Sequence, residues 1–393
     1  MNHVMVVDLG YGDAGKGTVV DALCAARPVH TVVRFNGGAQ AAHNVVLRDG
    51  RAHTFAQFGA GTFRPGVRTH LARQVVVDPL ALAAEADHLA SVGVPDAFER
   101  LTVDGEALLA TPYHRAANRA REIARGADRH GTCGLGVGEA VAYGLAHPAE
   151  LGPLDAPPVD DCLPAYAAFA DRVAIVDRSW LAGALRAGTC VFEGAQGVLL
   201  DEWHGFHPYT TWSTTTFANA ETLLAEAGMA GAAQRLGVLR VTTTRHGPGP
   251  LVTEDPTLPF TDPRNPTNAW QGRFRFGHFD AVAHRYALEV AGGVDGLALT
   301  HLDLAGPELR ICRRYADGLD RLVPGPAGDL ERQAALTDRL MRARPVLDEV
   351  PSDWATTVEE ALGVPVVLTS HGPRAEEKEG PLVNAFCLGR GPA

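Results

Sequence analysis

The segment from Val4 to Asp21, VMVVDLGYGDAGKGTVVD, constrains the fold of this chain more than any other segment. It reads as a short buried strand, a glycine-rich turn and the start of a helix. Glycines let the backbone adopt positive φ and approach a ligand closely. The free N–H groups at a helix N-terminus favour phosphate oxygens. The segment therefore predicts a nucleotide-phosphate site, in preference to a surface turn with a solvated lysine.

The turn departs from a standard P-loop at two places. Residues 10–16, GYGDAGK, match the start of that motif, but Gly17 takes the place of the usual serine or threonine, and Thr18 comes one position late. Asp13 lies in the middle of the turn. A carboxylate beside phosphate oxygens weakens binding unless it holds a metal ion or moves a proton. We therefore expect Asp13 to take part in the chemistry.

Composition restricts the class of protein. The formal net charge of the 393 residues is -11, which argues against nonspecific nucleic-acid binding but not against a nucleotide site. The sequence shows neither a leader nor an apolar run long enough to span a bilayer, so we expect a cytoplasmic protein with no membrane partner. The cysteines show no CxxC spacing and predict neither a zinc site nor a disulfide framework. They are Cys24, Cys133, Cys162, Cys190, Cys312 and Cys387.

Strand–loop–helix units recur along the chain and predict an α/β fold, with a large, mostly parallel central sheet and helices on both faces. The strands are expected at 4–7, 30–35, 172–176, 189–192, 236–244, 296–300 and 364–369, and the helices at 18–26, 80–92, 118–126 and 280–291. We expect one domain over residues 1–393, with a helical and loop insertion at about 75–165 and a substrate loop at about 250–280. The proline-rich stretch 148–164 is expected to be a surface connection.

Several strand-end loops carry polar or small residues. The strand at 30–35 runs into a glycine pair and then His43, which could be a general acid or a structural turn histidine. The strand at 189–192 ends in EGAQG (193–197), where ligands of parallel sheets bind. A second glycine-rich loop spans 131–138. Arg273 and Arg275 point the same way if extended, as suits carboxylate or phosphate capture, although a solvated arginine pair is the alternative.

These motifs, in this order, resemble the adenylosuccinate synthetase family over nearly the whole chain. The resemblance rests on GDAGKG (12–17), VVRFNGGAQAAHN (32–44), GTCGLGVG (131–138), FEGAQGVLLD (192–201), HPYTT (207–211), TTRHGPGP (243–250), GRFRFG (272–277), LTHLD (299–303) and SHGP (370–373).

The resemblance implies a two-step reaction of IMP, GTP and L-aspartate with Mg²⁺, catalysed by a homodimer. An aspartate, here Asp13, removes the N1 proton of the purine and binds the metal. The 6-oxygen attacks the γ-phosphate, helped by a histidine, here His43. The amine of aspartate then displaces phosphate. The second metal ligand is a backbone carbonyl, which falls at Ala42, and Gln196 matches the family's contact to the acceptor base.

The resemblance also assigns binding residues. Those for the nucleotide are Gly12, Gly15, Lys16, Gly17, Thr18, Asp303, Ser370, Gly372 and Pro373. Those for the acceptor and the amine are Gln40, Thr132, Cys133, Gln196, Thr211, His246, Arg273 and Arg275.

The sequence departs from the family pattern around the substrates. Cys133 replaces a threonine that contacts the phosphate of the acceptor, and Leu135 replaces an arginine that contacts an acidic ligand group. His147 stands where a cross-subunit arginine is usual. The threonine pair of the amino-acid site is Trp270-Gln271. The lysine of the guanine-reading strand end is His301, so either GTP or ATP could be the nucleotide.

These departures leave other functions open. One alternative is a specialised-metabolism paralogue that uses the same chemistry on a different heterocyclic acceptor or amine donor. Another is a non-ligase nucleotide-binding NTPase or switch, although the retained Asp13 argues against it because a switch does not need that carboxylate. A nucleic-acid-binding regulator is disfavoured by the acidic balance.

Overall fold

The computed structural model describes residues 3–147, 163–350 and 353–384. The strands in these ranges are β1 (His3–Asp8), β2 (Val29–Arg34), β3 (His43–Val46), β4 (Ala52–Phe55), β5 (Arg68–Leu71), β6 (Val76–Val77), β7 (Leu101–Asp104), β8 (Leu108–Leu109), β9 (Ala174–Val176), β10 (Thr189–Glu193), β11 (Ala233–Arg240), β12 (Thr243–His246), β13 (Phe274–Gly277), β14 (Phe279–Asp280), β15 (Gly296–Thr300), β16 (Arg310–Tyr315), β17 (Pro345–Glu349), β18 (Val366–Ser370) and β19 (Lys378–Glu379).

The α-helices of the same ranges are α1 (Lys16–Ala26), α2 (Pro79–Ser91), α3 (Pro112–Arg125), α4 (Val137–Ala146), α5 (Leu163–Ala170), α6 (Ser179–Ala187), α7 (Ala218–Glu226), α8 (Ala281–Val290), α9 (Leu330–Arg342), α10 (Trp354–Leu362) and α11 (Pro381–Asn384). None of these helices is long and apolar enough to cross a membrane.

A ten-stranded sheet forms the centre of the molecule. Its order is β19-β18-β15-β11-β1-β10-β2-β5-β7-β9, and every neighbouring pair is parallel except β18 with β19. The predicted α/β fold with a mostly parallel sheet is confirmed. Because β1 lies between β10 and β11, the strand order reverses here, and ligands of open parallel sheets bind in the crevice at such a point.

The first strand contributes to the hydrophobic cores on both faces of the sheet. Val4 and Val6 pack on one side with residues of α1 and α2, whereas Met5 and Val7 pack on the other side with residues of α6, α7 and α8. Successive side chains of a strand point to opposite faces. A continuous apolar run such as VMVV is therefore typical of a strand covered by helices on both sides.

One predicted strand was wrong in its extent. The segment 236–244 forms two strands, because the chain leaves the central sheet after Arg240, and residues from Thr243 onwards pair in antiparallel fashion with β13. The third predicted helix begins earlier than expected, at Pro112, with Thr111 as its N-cap. Most of the proline-rich stretch 148–164 lies outside the described residues.

Candidate active site

A cavity of about 940 Å³ opens at the carboxyl edge of the central sheet. The loops that follow β1, β2, β10, β11, β15 and β18 meet here, although they are far apart in the sequence. The predicted site residues that line this cavity are Gly12, Asp13, Gly15, Lys16, Gly17, Thr18, Gln40, Ala42, His43, Thr132, Cys133, Gln196, Thr211, His246, Asp303, Ser370, Gly372 and Pro373.

The two arginines predicted to bind a carboxylate or phosphate lie elsewhere. Arg273 and Arg275 both contact Glu254, at 2.6 and 2.8 Å, and neither lines the cavity. They do point the same way, as their alternation predicts. In this conformation, however, both guanidinium groups bind the one carboxylate of Glu254, so they are not brought together with the other predicted binding residues.

Asp8 holds the first loop in place through hydrogen bonds and an ion pair. Its buried carboxylate accepts hydrogen bonds from the backbone N–H groups of Gly10 and Ala14, at 2.8 and 2.9 Å. It also lies 3.2 Å from the ammonium of Lys16. Lys16 in turn donates to the carbonyl of Gln196 at 2.7 Å, so this lysine links the loops after β1 and β10.

The backbone at Asp13 is strained and held in place. Its φ of 59° lies in the left-handed region, which non-glycine residues seldom adopt. The guanidinium of Arg240 donates to the Asp13 carbonyl at 3.2 Å, and the Thr300 hydroxyl donates to the Ala14 carbonyl at 2.6 Å. Strain of this kind persists only where the surroundings enforce it, and it clusters at functional sites.

The Asp13 carboxylate faces the cavity. Its nearest ionisable partner is His246, with 3.8 Å between Oδ2 and Nε2. Desolvation in the cavity wall raises the pKa of Asp13, while the charges of His246 and Lys16 oppose that shift. A carboxylate whose pKa is moved upward accepts protons more readily, as a general base requires.

His43 forms a pair with a buried glutamate. Its Nδ1 lies 2.5 Å from Oε1 of Glu193, and the other carboxylate oxygen accepts the N–H of Ala60 at 2.9 Å. Burial lowers the pKa of His43 to about 4, although Glu193 opposes the shift. Burial alone would raise the pKa of Glu193, but His43 and Arg34 bring it below its ordinary value. The neutral imidazole therefore donates from Nδ1 and keeps Nε2 free of a proton.

The position of His43 explains why Gly17 replaces the serine or threonine of a standard P-loop. A Cβ added to Gly17 would lie 2.6 Å from Cβ of His43 and 3.0 Å from its backbone. Only glycine lets the first turn of α1 lie against β3 at this distance. The departure from the standard P-loop thus brings the glycine-rich first loop next to the histidine.

Two glutamine side chains of the cavity wall have buried polar atoms without partners among the described residues. They are Oε1 of Gln40 and both amide atoms of Gln196. Unpaired buried polar groups are costly. A free donor and a free acceptor on one side chain suit a ligand with a lactam edge, which offers one of each.

Asp303 and a histidine, His301, line the part of the cavity that follows β15. His301 has a φ of 58°, and its Nδ1 lies 2.7 Å from the Thr300 hydroxyl. Burial lowers its pKa well below the ordinary value, with Arg240 and Lys378 adding to the effect. The ring that replaces the lysine of the family pattern is therefore neutral.

Contacts that the sequence did not reveal join the loops at the far end of the cavity, next to the lining residues Thr132 and Cys133. Trp270 packs against Gly134, where an added Cβ would lie 2.9 Å from the indole ring, and the Arg119 guanidinium lies 5.2 Å from the ring centroid. Thr132 donates to the side chain of Asn118 at 3.1 Å. Burial raises the pKa of the Cys133 thiol, so this thiol is neutral at pH 7.

Sequence comparisons identify the family. A profile described as adenylosuccinate synthetase matches residues 5–149 and 146–378. The adenylosuccinate synthetase of Marinomonas sp. (strain MWYL1) is 33% identical over 432 residues, covering 95% of this chain and 97% of the relative. That of Acidithiobacillus ferrooxidans is 36% identical over 351 residues, covering 80% of each. The chain belongs to the adenylosuccinate synthetase family.

Solved structures show the same fold. The fully ligated adenylosuccinate synthetase from Plasmodium falciparum has a TM-score of 0.75 at 21% identity and covers 96% of this chain and 99% of its own. The succinoaminodeoxyadenylate synthetase of cyanophage S-2L, bound to dGMP and dATP, has a TM-score of 0.67 at 20% identity, with 98% and 99% covered.

Sequence reasoning assigned no role to three residues of this site. Asp8 ends the first strand directly before the glycine-rich turn, and Glu193 ends β10 directly before its loop, so their positions at strand ends were an available signal. Arg240 offered no such signal, because it was placed inside a strand that was predicted to continue to residue 244.

Proposed function

We propose that this protein is a carbon–nitrogen ligase that phosphorylates the 6-oxo group of a purine-type acceptor with a nucleoside triphosphate. The amine of L-aspartate then displaces the phosphate, and IMP is the acceptor expected by default. The observation that carries the proposal is the convergence of Asp13, Lys16, His43 and Gln196 on one cavity. A base, an acid, a phosphate loop and an amide with unpaired atoms are the parts that this reaction needs.

The proton transfers follow from the environments of two residues. A lactam oxygen is a poor nucleophile until N1 loses its proton. Asp13 is the carboxylate of the first loop, and its pKa is raised by burial. Burial keeps the His43 imidazole neutral at pH 7. The negative charge of a bound triphosphate favours its protonated form, so the imidazolium can stabilise the transferring phosphoryl group.

The donor set of the loop region fits Mg²⁺. The Asp13 carboxylate and the Ala42 carbonyl would hold it, and both residues line the cavity. No group of three or more metal-binding side chains occurs among the described residues, but Mg²⁺ takes most of its ligands from water and phosphate oxygens. When bound, the ion would neutralise charge that develops on the phosphates. The nucleotide is GTP or ATP.

We further propose that the working unit is a cytoplasmic homodimer in which all 393 residues act as one domain, with insertions at about 75–165 and 250–280. The acceptor and the amine would lie between Gln40, Thr132, Cys133, Thr211 and His246. Arg273 and Arg275 would join them only if Glu254 released both guanidinium groups.

The test is phosphate release by purified protein with Mg²⁺ and either GTP or ATP, with and without IMP plus L-aspartate, followed by mass analysis of the product. Release that requires both co-substrates, with adenylosuccinate formed, supports the proposal. Release at the same rate without an acceptor would indicate an NTPase. If phosphate is released only with other heterocycles or amines, the proposed reaction type holds but IMP and L-aspartate are not the substrates.

Asp13→Asn is the decisive variant, because the amide keeps the shape of the side chain and cannot accept the N1 proton. Its turnover should fall by roughly 10²- to 10⁴-fold, the contribution of a positioned general base. Asp49→Asn removes an equal charge from an exposed site and serves as the control. Unchanged turnover of Asp13→Asn would contradict the proposal.

A further inference from the structure

Two buried arginines line the cavity, and their hydrogen bonding differs. Arg245 donates to the carbonyls of Tyr209, Pro248 and Pro250 at 2.9 to 3.2 Å, and it lies over the ring of Tyr11. Arg240 is 5% exposed and donates through Nη1 alone.

The charge of Arg240 is not balanced by an ion pair within the described residues. Its acceptors are neutral, the Asp13 carbonyl at 3.2 Å and the Thr244 hydroxyl at 3.4 Å. Its Nε is buried without a partner, and Nη2 makes no hydrogen bond to the described part of the chain. Burying an unpaired cation is costly. The carboxylates of Asp13, Asp262, Asp8 and Asp303 reduce this cost, and the guanidinium lies 5.8 Å from the Phe276 ring centroid. None of these carboxylates accepts a hydrogen bond from Arg240 among the described residues, so an anion could still supply the missing partner.

The position of Arg240 indicates which anion this is. Arg240 is the last residue of β11, at the carboxyl edge of the sheet. Its guanidinium donates to the carbonyl of Asp13, in the middle of the first loop. The triphosphate would lie along this loop, with the terminal phosphoryl at the end where Asp13 and His43 act. A guanidinium has five donors in a planar fork, which matches phosphate oxygens.

We propose that Arg240 is a further catalytic residue that binds the terminal phosphoryl group of the nucleotide through Nε and Nη2. This inference rests on the function proposed above. Arg240 thus has two contacts: Nη1 supports the strained Asp13 backbone, and the remaining donors stabilise the phosphoryl group as it is transferred.

The test separates a phosphoryl contact from simple support of the loop. With Mg²⁺ present, the dissociation constants of GDP and of its β,γ-imido triphosphate analogue are measured by calorimetry for the wild type and for Arg240→Gln. A contact to the terminal group predicts that the preference for the triphosphate falls by about 10- to 100-fold, while GDP affinity changes little. Arg240→Lys keeps the charge and should retain part of the preference.

Thr244→Val is the matched control, because it removes the other acceptor of Nη1 and leaves the charge in place. Its triphosphate preference should equal that of the wild type. If GDP and the analogue lose affinity equally in both Arg240 variants, Arg240 only supports the loop and the inference is overturned. If the wild type binds neither these ligands nor the corresponding adenine pair, the proposed function itself fails, and the two failures are thereby distinguished.

Discussion

Nδ1 of His43 lies 2.5 Å from Oε1 of Glu193, and the two residues are 150 positions apart in the sequence. The glutamate is fully buried and its second oxygen is fixed by the Ala60 N–H. The pair determines which ring nitrogen of His43 carries the proton and how the ring is oriented. The remaining nitrogen is then available for a ligand in the cavity.

Glu193→Gln should therefore impair the chemistry more than binding. We expect kcat to fall by roughly 10²-fold, at the lower end of what a positioned acid contributes, with KM for the nucleotide within about threefold of the wild type. Steady-state kinetics with both co-substrates measure this. Glu106→Gln, which changes an exposed glutamate in the same way, is the control. A kcat equal to that of the wild type would show that His43 does not depend on its partner.

Gly17→Ala should destabilise the protein, although alanine is the better helix former. The new Cβ would meet His43 at 2.6 Å, and overpacking of this kind costs about 1–3 kcal/mol. In contrast, Gly183→Ala within α6 meets nothing within 4 Å, and we expect it to stabilise by about 0.5–1 kcal/mol. Urea unfolding of both variants gives the comparison. Equal effects of the two substitutions would mean that the contact with His43 relaxes freely.

His70→Phe should make the protein less sensitive to acid. Burial lowers the pKa of His70 to about 3 in the folded chain, against about 6.5 when unfolded. Below pH 6.5 the unfolded chain therefore takes up a proton that the folded chain does not, and stability is lost as the pH falls. Between pH 6.5 and 4.5, the wild type should lose about 2 kcal/mol more than the variant.

Urea unfolding across this range measures the difference. The variant keeps a ring stacked on Trp180, whose centroid lies 4.8 Å from that of His70. It loses the hydrogen bond to the Thr102 hydroxyl, so its stability at pH 7.5 is the reference for each series. If the free energy of unfolding of the two proteins changes with pH in parallel, His70 does not cause the acid sensitivity and the prediction is wrong.

Trp270→Ala should loosen the far end of the cavity. The indole packs on Gly134 and under Arg119, and the loss of a cation–π contact alone is about 0.5–1 kcal/mol. We expect faster proteolysis within residues 262–272 and a higher KM for the acceptor. Trp203→Ala, at an exposed tryptophan elsewhere on the cavity wall, controls for the loss of an aromatic ring. Unchanged cleavage rates would show that Arg129, which donates to the Ala269 carbonyl, holds the loop by itself.

The strand–turn–helix at the start of the chain could be predicted because its signals are local. Apolar residues set β1, glycines set the turn, and Lys16 lies at the start of α1, all within 18 residues. The parallel sheet followed from the recurrence of such units. The end of β11 could not be predicted, since Val241 and Thr242 continue the strand-like pattern and only pairing with β13 ends it.

The sequence by itself determined the fold class, the glycine-rich first loop and the residue types of the cavity, because each depends on neighbours along the chain. Only the tertiary structure decided the partners across the cavity. Glu193 orients His43, Lys16 binds the Gln196 carbonyl 180 positions away, and Arg240 supports Asp13 across 227 positions. Such contacts depend on which strands lie side by side, and that order arises when the whole sheet packs against both layers of helices.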